Sequence, residues 1–381
     1  MLLNYSFANY GLFLDWAAFS MQPSQEINRY KDNEVNFGRG IRVLKSAVIA
    51  GANGGGKTTI ARNMRTLQEL LSASNQVLKV LRRTVNVNLQ SEFPDASQKY
   101  ELEAIITANT KAYIYHFILE LDGRGIVQES LSRRETLNKK EEKIYSTNRV
   151  GGVKLNPKYF SSVEPFKNNL QEFQLGAMLN RVVVFCPEVV APFIEWMRDS
   201  LVIECVELSD PLNHFTPKPD GQTLEIIRSN RFLNLFQLVD TFIKRIDVNP
   251  KDPYHATKII RRTENDEEYA VPLRAESAGI REFFYWAEKT WKILYENKTV
   301  FADDMDRVID PLVVNRLVAR VNNSKHKWQL VFTTRNMERL DFQNFSKEQM
   351  WIASNGKGLR AGLFSIADFS DLFSAWKVRD E

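Results

Sequence analysis

The stretch Gly51-Ala-Asn-Gly-Gly-Gly56-Lys57-Thr58 constrains this chain more than any other, because it fits the pattern G-x-x-x-x-G-K-[ST]. An apolar, β-branched run at 43–50 (VLKSAVIA) precedes it, and apolar residues at three- and four-residue spacing follow over 60–81. A buried strand, a Gly-rich loop and then a helix is the context that gives this motif its meaning. The loop must curl with its backbone N–H groups turned inward around a phosphate, which glycines at positive φ permit. The helix N-terminus adds partial positive charge at the same place. Asn53, Gly54, Gly55, Gly56, Lys57, Thr58 and Thr59 are therefore the expected phosphate contacts. Lys57 is placed to bridge the β- and γ-phosphates of a nucleotide, and the Thr58 hydroxyl to ligate Mg²⁺.

Such a site needs a second acidic group at the end of another buried strand. Residues 299–304 (TVFADD) supply an apolar run closed by two carboxylates. Asp303 is the candidate Mg²⁺ partner, acting through water, and Asp304 is the candidate for orienting an attacking water. A solvated strand end could also produce two aspartates. Just upstream, Glu276-Ser277-Ala278-Gly279-Ile280-Arg281 opens a helix. Ser277 and Gly279 would offer a hydroxyl and exposed amides at a helix N-terminus, a second anion site. An ordinary N-cap also fits these residues. If such a site lies far from its own phosphate loop, its use as an anion site would be to meet the γ-phosphate held by a second subunit.

The remaining pattern is that of a globular α/β chain. Its 381 residues suffice for one large or two modest cores, with 44% apolar and 26% charged residues. A strand is expected at 5–13, three short strands at 100–107, 113–121 and 126–132, and a helix at 168–179. The run 181–186 (RVVVFC) predicts a buried strand ended by Pro187, with helices at 190–199 and 222–246 and a loop or short hairpin at 249–266. From 271 onward the pattern predicts helix 278–296, strand 299–303, helix 311–322 and strand 328–333, then strands at 350–353 and 361–364. The aromatic residues Phe283, Phe284, Tyr285, Trp286 and Trp291 recur at helical spacing and read as core, an assembly surface being the other reading.

Several classes are disfavoured. No run approaches the roughly eighteen apolar residues of a transmembrane helix, and the N-terminus lacks the layout of a signal peptide. Cys186 and Cys205 lie in apolar runs and suit reduced thiols in a cytoplasmic protein. The four histidines show no metal-ligand spacing. A net charge of +4 does not identify nucleic acid as a partner, and the basic groups Lys79, Arg82, Arg83 and Lys325, Lys327 read as solvated faces.

With these motifs in this order, the chain resembles the ABC-type ATPases of bacterial abortive-infection and anti-phage systems, distant relatives of the chromosome-maintenance and recombination ATPases. The resemblance is carried by NYGLF (9–13), GANGGGKTT (51–59), YIYHFILELDGRGIVQESLSRRE (113–135), ESAGIREFF (276–284), VFADDMDRVIDP (300–311), LVFTTRN (330–336) and MWIASNGKGLRAGLFSIADF (350–369). A shorter match, VVVFCPE (182–188), is similar to the approach to the lid in recombination-type relatives. The fold this implies is α/β, an ABC-type P-loop ATPase head with an inserted β-rich arm and a helical lid but no long coiled coil. Its parts would be an N-terminal lobe (1–82), the arm (83–185), the lid (186–270) and a C-terminal lobe (271–381).

The resemblance implies ATP and Mg²⁺ as cofactors and a homodimer, at minimum, that sandwiches ATP. Ser277 and Gly279 match the signature acting in trans, and Asp306 the aspartate of the loop that crosses the dimer interface. Two positions depart from the family: Asp304 stands where a catalytic glutamate is usual, and Arg335 where a switch histidine is usual. Withdrawing a carboxylate by about 1 Å can cost on the order of 10²-fold in rate, and arginine cannot shuttle a proton at neutral pH. Slow hydrolysis follows as the expectation. No glutamine matches the family's Q-loop well, Gln90 and Gln98 being the candidates. The leading role is an ATPase sensor that holds or releases a separate effector, such as a nuclease, in response to a phage-derived trigger. A DNA-repair or recombination ATPase binding duplex DNA and a non-catalytic ATP-binding scaffold are the alternatives.

Overall fold

The computed structural model describes residues 1–23, 28–72, 97–108, 110–162, 177–204, 221–323, 325–355 and 361–368. The expectations for 73–81 and 168–176, together with Gln90, Cys205 and the basic group Lys79, Arg82 and Arg83, lie outside them.

Ahead of the phosphate loop run β1 (Leu2–Ala8), β2 (Ala17–Ser20), β3 (Glu34–Gly38), β4 (Ile41–Leu44) and β5 (Ser46–Ala50), and after it α1 (Lys57–Ser72). A meander follows: β6 (Gln98–Ala108), β7 (Lys111–Asp122), β8 (Gly125–Arg134), β9 (Glu142–Asn148) and β10 (Gly152–Leu155). Then come α2 (Leu179–Val182), α3 (Pro187–Glu195), β11 (Leu201–Glu204), α4 (Thr223–Arg228) and α5 (Asn230–Phe236). Strands β12 (Ile243–Asp247), β13 (Lys258–Arg262) and β14 (Glu268–Pro272) form a small antiparallel sheet. The chain continues with α6 (Ala278–Glu296), β15 (Thr299–Ala302), α7 (Met305–Val308), α8 (Pro311–Asn322), β16 (Gln329–Thr334), β17 (Met350–Asn355) and β18 (Ala361–Ser365).

Two larger sheets dominate. One is antiparallel, in the order β10-β9-β8-β7-β6-β1-β2, so the meander after α1 extends the sheet that β1 and β2 begin. The other runs β11-β15-β16-β5-β17-β18 and is parallel except for β18. The parallel sheet is buried on both faces, which is why its strands read as unbroken apolar runs. Its alternation divides the interior. Ala47 and Ile49 of β5, Phe301 of β15 and Val331 of β16 join a core shared with α1 and the antiparallel sheet. Val48, Ala50, Val300, Ala302, Leu330 and Phe332 point the other way, into a core with α4, α5, α6 and α8.

Helix α1 forms because Ile60, Ala61, Met64, Leu67 and Leu71 fall on one stripe, with no glycine or proline to interrupt it. Its buried polar residues meet β1 and the turn after it: the Tyr5 hydroxyl donates to Asn63, and the Tyr10 and Thr66 hydroxyls are 2.9 Å apart. Gln329 ties the two sheets together. Its Oε1 accepts Leu2 N–H at 2.8 Å, and its amide donates to the carbonyls of Leu2 and Leu44 at 2.9 and 3.0 Å.

Two expectations are corrected. The run 181–186 is not a strand: α2 ends at Val182, and Val184 and Phe185 face solvent in the turn before Pro187. The span 222–246 is not continuous helix, because Ser229 leaves helical geometry and caps α5, and the chain turns into β12 at Ile243. Strand β11 was not foreseen. It adds to the edge of the parallel sheet beside β15, and at four residues its sequence signal is short. Phe283, Phe284 and Trp286 are buried, and Tyr285 and Trp291 pack partly buried against the same core.

Candidate functional site

Ligands of open α/β sheets bind beyond the carboxyl ends of the strands. Here β15, β16 and β5 are parallel neighbours, so their carboxyl ends share one edge. The Gly-rich loop leaves β5, Asp303 and Asp304 leave β15, and Arg335 leaves β16. A cavity of about 160 Å³ there is lined by Leu12, the run from Asn53 to Thr59, Asp304 and Arg335.

The loop is held from two sides. A Cβ on Gly51 or Gly55 would sit 2.2 or 2.7 Å from the Ala353 carbonyl of β17, and one on Gly56, at φ +98°, 2.8 Å from the Phe13 ring. Gly54, at φ +78°, has open space where its side chain would be. The Lys57 ammonium folds back onto the carbonyls of Gly51 and Ala52, at 2.6 and 3.0 Å. These dipoles occupy the donors that phosphate oxygens would take. Burial pushes the Lys57 pKa down, against the opposing pull of Asp304.

Thr333, at the end of β16, organises the acidic pair. Its hydroxyl donates to Asp303 Oδ1 at 2.7 Å and accepts the Asp304 N–H at 2.7 Å. Asp304 adopts left-handed backbone, φ +52°, which turns its buried carboxylate into the cavity. Both of its oxygens are taken by Arg335, Nε lying 3.2 Å from Oδ1 and the terminal nitrogen closing on Oδ2. The Asp304 hydrogen bond and charge raise the Arg335 pKa further above its ordinary value.

Asp306 bonds within its own chain, to the turn after β16. One carboxylate oxygen accepts from the Thr334 hydroxyl at 2.7 Å, from the N–H groups of Arg335 and Asn336 at 3.2 and 3.3 Å, and from the Asn336 amide at 2.8 Å. Thr333, Thr334 and Asn336 were not singled out in the sequence. The pointer available there was a Thr-Thr pair closing an apolar strand beside one that ends in two aspartates.

Ser277 and Gly279 lie elsewhere, and neither lines the cavity. Ser277 caps α6, its hydroxyl accepting Ile280 N–H at 3.4 Å, and a side chain on Gly279 would meet nothing within 4 Å. The preceding Glu276 is gripped by Arg261 of β13, which also donates to Asp240 at 2.7 Å. Gln98 is buried at the start of β6, accepting from the Tyr100 hydroxyl at 3.1 Å, and is not part of the cavity wall.

The donor set suits a nucleotide with Mg²⁺. The glycine loop lining the cavity, a lysine resting on two carbonyl dipoles and the hard oxygens of Thr58 and Asp303 match phosphate and magnesium chemistry.

No family model matches the chain, and no curated protein does. Solved structures are similar over nearly its whole length. An SMC head bound to the C-winged helix domain of ScpA shares 12% identity, covering 96% of this chain and 97% of that one at a TM-score of 0.48. The SMC head domain from Thermotoga maritima shares 11% over 96% and 98%, TM-score 0.46. An Smc head domain with a coiled coil and joint derived from Pyrococcus yayanosii shares 10% over 99% of both, TM-score 0.46. With TM-scores under 0.5, these likenesses assign no ligand or partner to this chain. Among the described residues no helix is long and apolar enough to cross a membrane.

Proposed function

We propose that this chain binds ATP with Mg²⁺ at the loop 51–58 and hydrolyses it slowly. The observation that carries this reading is the meeting of Lys57, Asp304 and Arg335 around one cavity at the carboxyl ends of adjacent strands. The loop N–H groups and Lys57 bind the phosphates, and Thr58 and Asp303 hold the metal. Mg²⁺ bound there neutralises charge on the β- and γ-phosphates. Asp304 is the group positioned to orient a water, and its engagement by Arg335 together with its short reach supports a low rate.

At about 160 Å³ the cavity suits the phosphate end of a nucleotide, since whole small-molecule clefts run to roughly 300–1000 Å³. That Ser277 and Gly279 lie away from this cavity, at the open start of α6, supports a dimer in which those of one copy meet the nucleotide on the other. The sequence resemblance to anti-phage ATPases supports a further role as the nucleotide-gated sensor of a separate effector.

Calorimetric titration with ATP and Mg²⁺, alongside Lys57→Ala, tests the central reading. Saturable binding that drops at least tenfold in the variant is expected, a loss of the order a charge-assisted contact supplies. Equal behaviour of the two proteins would refute it. Light scattering with and without ATP tests the dimer, whose mass should grow only with nucleotide.

A further inference from the structure

We propose that Arg335 is a triphosphate-recognising residue held in check by Asp304, so that the pair sets how strongly the site prefers a nucleoside triphosphate to a diphosphate. The inference rests on the nucleotide reading above and concerns the regulation of that site.

Two cations line the cavity, and their partners differ in kind. Lys57 rests on two neutral carbonyls, whereas Arg335 is paired through both donors with a full negative charge. An incoming phosphate displaces carbonyl dipoles easily. It takes Arg335 only by competing with a carboxylate that is itself buried, the Asp304 side chain being 7% exposed. Releasing that carboxylate leaves a buried charge without its partner, which is costly.

The geometry confines this exchange to one side chain. Asp304 is fixed from behind by its N–H on Thr333, and the backbone of Arg335 is fixed by Asp306. The guanidinium is the partner with room to move once released, because the Arg335 side chain is 45% exposed. A diphosphate reaches the loop and Lys57 and leaves the pair closed. A triphosphate presents one more phosphate, and its gain from Arg335 is reduced by whatever holds the guanidinium on Asp304. The same exchange frees both Asp304 oxygens to accept hydrogen bonds from a water. Arg335 therefore couples recognition of the terminal phosphate to exposure of the water-orienting carboxylate.

The test is calorimetric affinity for Mg²⁺-ADP and for a β,γ-imido triphosphate, in the wild type, Asp304→Asn, Arg335→Ala and the double variant. Asparagine suits the left-handed backbone at 304, so Asp304→Asn should keep the turn; thermal melts of all four proteins check it. Asp304→Asn is expected to tighten the triphosphate about tenfold more than the diphosphate, the scale of one charge-assisted contact. Arg335→Ala should remove most of the triphosphate preference, and in that background Asp304→Asn should no longer raise it. An equal gain from Asp304→Asn with or without Arg335 would mean simple charge repulsion and overturn the proposal. So would an equal gain for both nucleotides. Either result leaves the nucleotide reading standing, whereas failure of the wild type to bind either ligand removes both.

Discussion

The Asp306 carboxylate accepts the backbone N–H of Arg335 at 3.2 Å, and the same oxygen takes the Thr334 hydroxyl at 2.7 Å. With Asn336 adding two more donors, the turn after β16 is built around one side chain from α7. Asp306→Ala should cost about 1–2 kcal/mol in urea unfolding, because some of these donors regain water and others do not. Asp306→Asn keeps an acceptor and should cost less. A melt of the alanine variant that overlays the wild type would show that the turn does not depend on Asp306.

Glu129 of β8 is fully buried and clamps the start of α2. It accepts the Tyr145 hydroxyl at 2.6 Å and the N–H groups of Met178 and Leu179, each at 2.8 Å. Burial pushes its pKa up, against those three donors. Glutamine at 129 would turn an NH₂ group toward an N–H, a mismatch worth about 1–3 kcal/mol. The expected order of destabilisation is Tyr145→Phe, then Glu129→Gln, then Glu129→Ala, which adds a cavity. Denaturant midpoints in another order would contradict the clamp.

How much of this was legible in the sequence depended on range. The runs SAVIA, TVFA and QLVFTT read as buried strands because both faces are covered, and the chain runs from each into the site. RVVVFC carries the same composition, yet Val184 and Phe185 are exposed, since apolar character does not say which faces a neighbour covers. The helix at 222–246 failed because Ser229 stops one helix by capping the next, a signal that apolar spacing alone runs through. The Asp304–Arg335 pair joins residues 31 apart through the adjacency of β15 and β16, which only the strand order supplies. Motif residues were thus readable one by one, and their contacts with each other were not.

His116 of β7 is the centre of an ion-pair net on the antiparallel sheet. Its ring nitrogens lie 2.8 Å from Glu101 and 3.0 Å from Glu141, while Arg134 binds Glu103 and Glu141. Burial lowers the His116 pKa, but the hydrogen bonds to Glu101 and Glu141 and the charges of Glu141 and Glu103 outweigh it, and the net shift is upward from 6.5. A raised folded pKa means the stabilisation is complete below the unfolded value, about pH 6.5, and is lost as pH rises through the folded pKa. Urea unfolding of the wild type should therefore weaken above pH 6.5 relative to His116→Gln, which cannot titrate. Parallel pH curves for the two proteins would remove His116 from the account.

Gly279 offers the cleanest separation of a trans contact from a folding effect. It lies in the first turn of α6, its φ is not in the left-handed region, and a Cβ there would meet nothing within 4 Å. A side chain at this position is therefore accommodated by the monomer, and exchanging glycine for a better helix former should raise helix stability by a few tenths of a kcal/mol to about 1 kcal/mol. The proposed dimer makes the opposite demand, since the first turn of α6 must approach a nucleotide held by the other copy. Gly279→Arg should leave the melting temperature at or above the wild type and leave ATP binding to the loop intact. It should nonetheless abolish the ATP-dependent rise in mass seen by light scattering, because the bulk fills the space the partner's nucleotide needs. Ser277→Ala separates the cap from the contact: it should cost about 1 kcal/mol as a lost N-cap and weaken dimerisation beyond that. If Gly279→Arg still dimerises on ATP, the open face at α6 serves some other surface, and the phosphate cavity is completed without it.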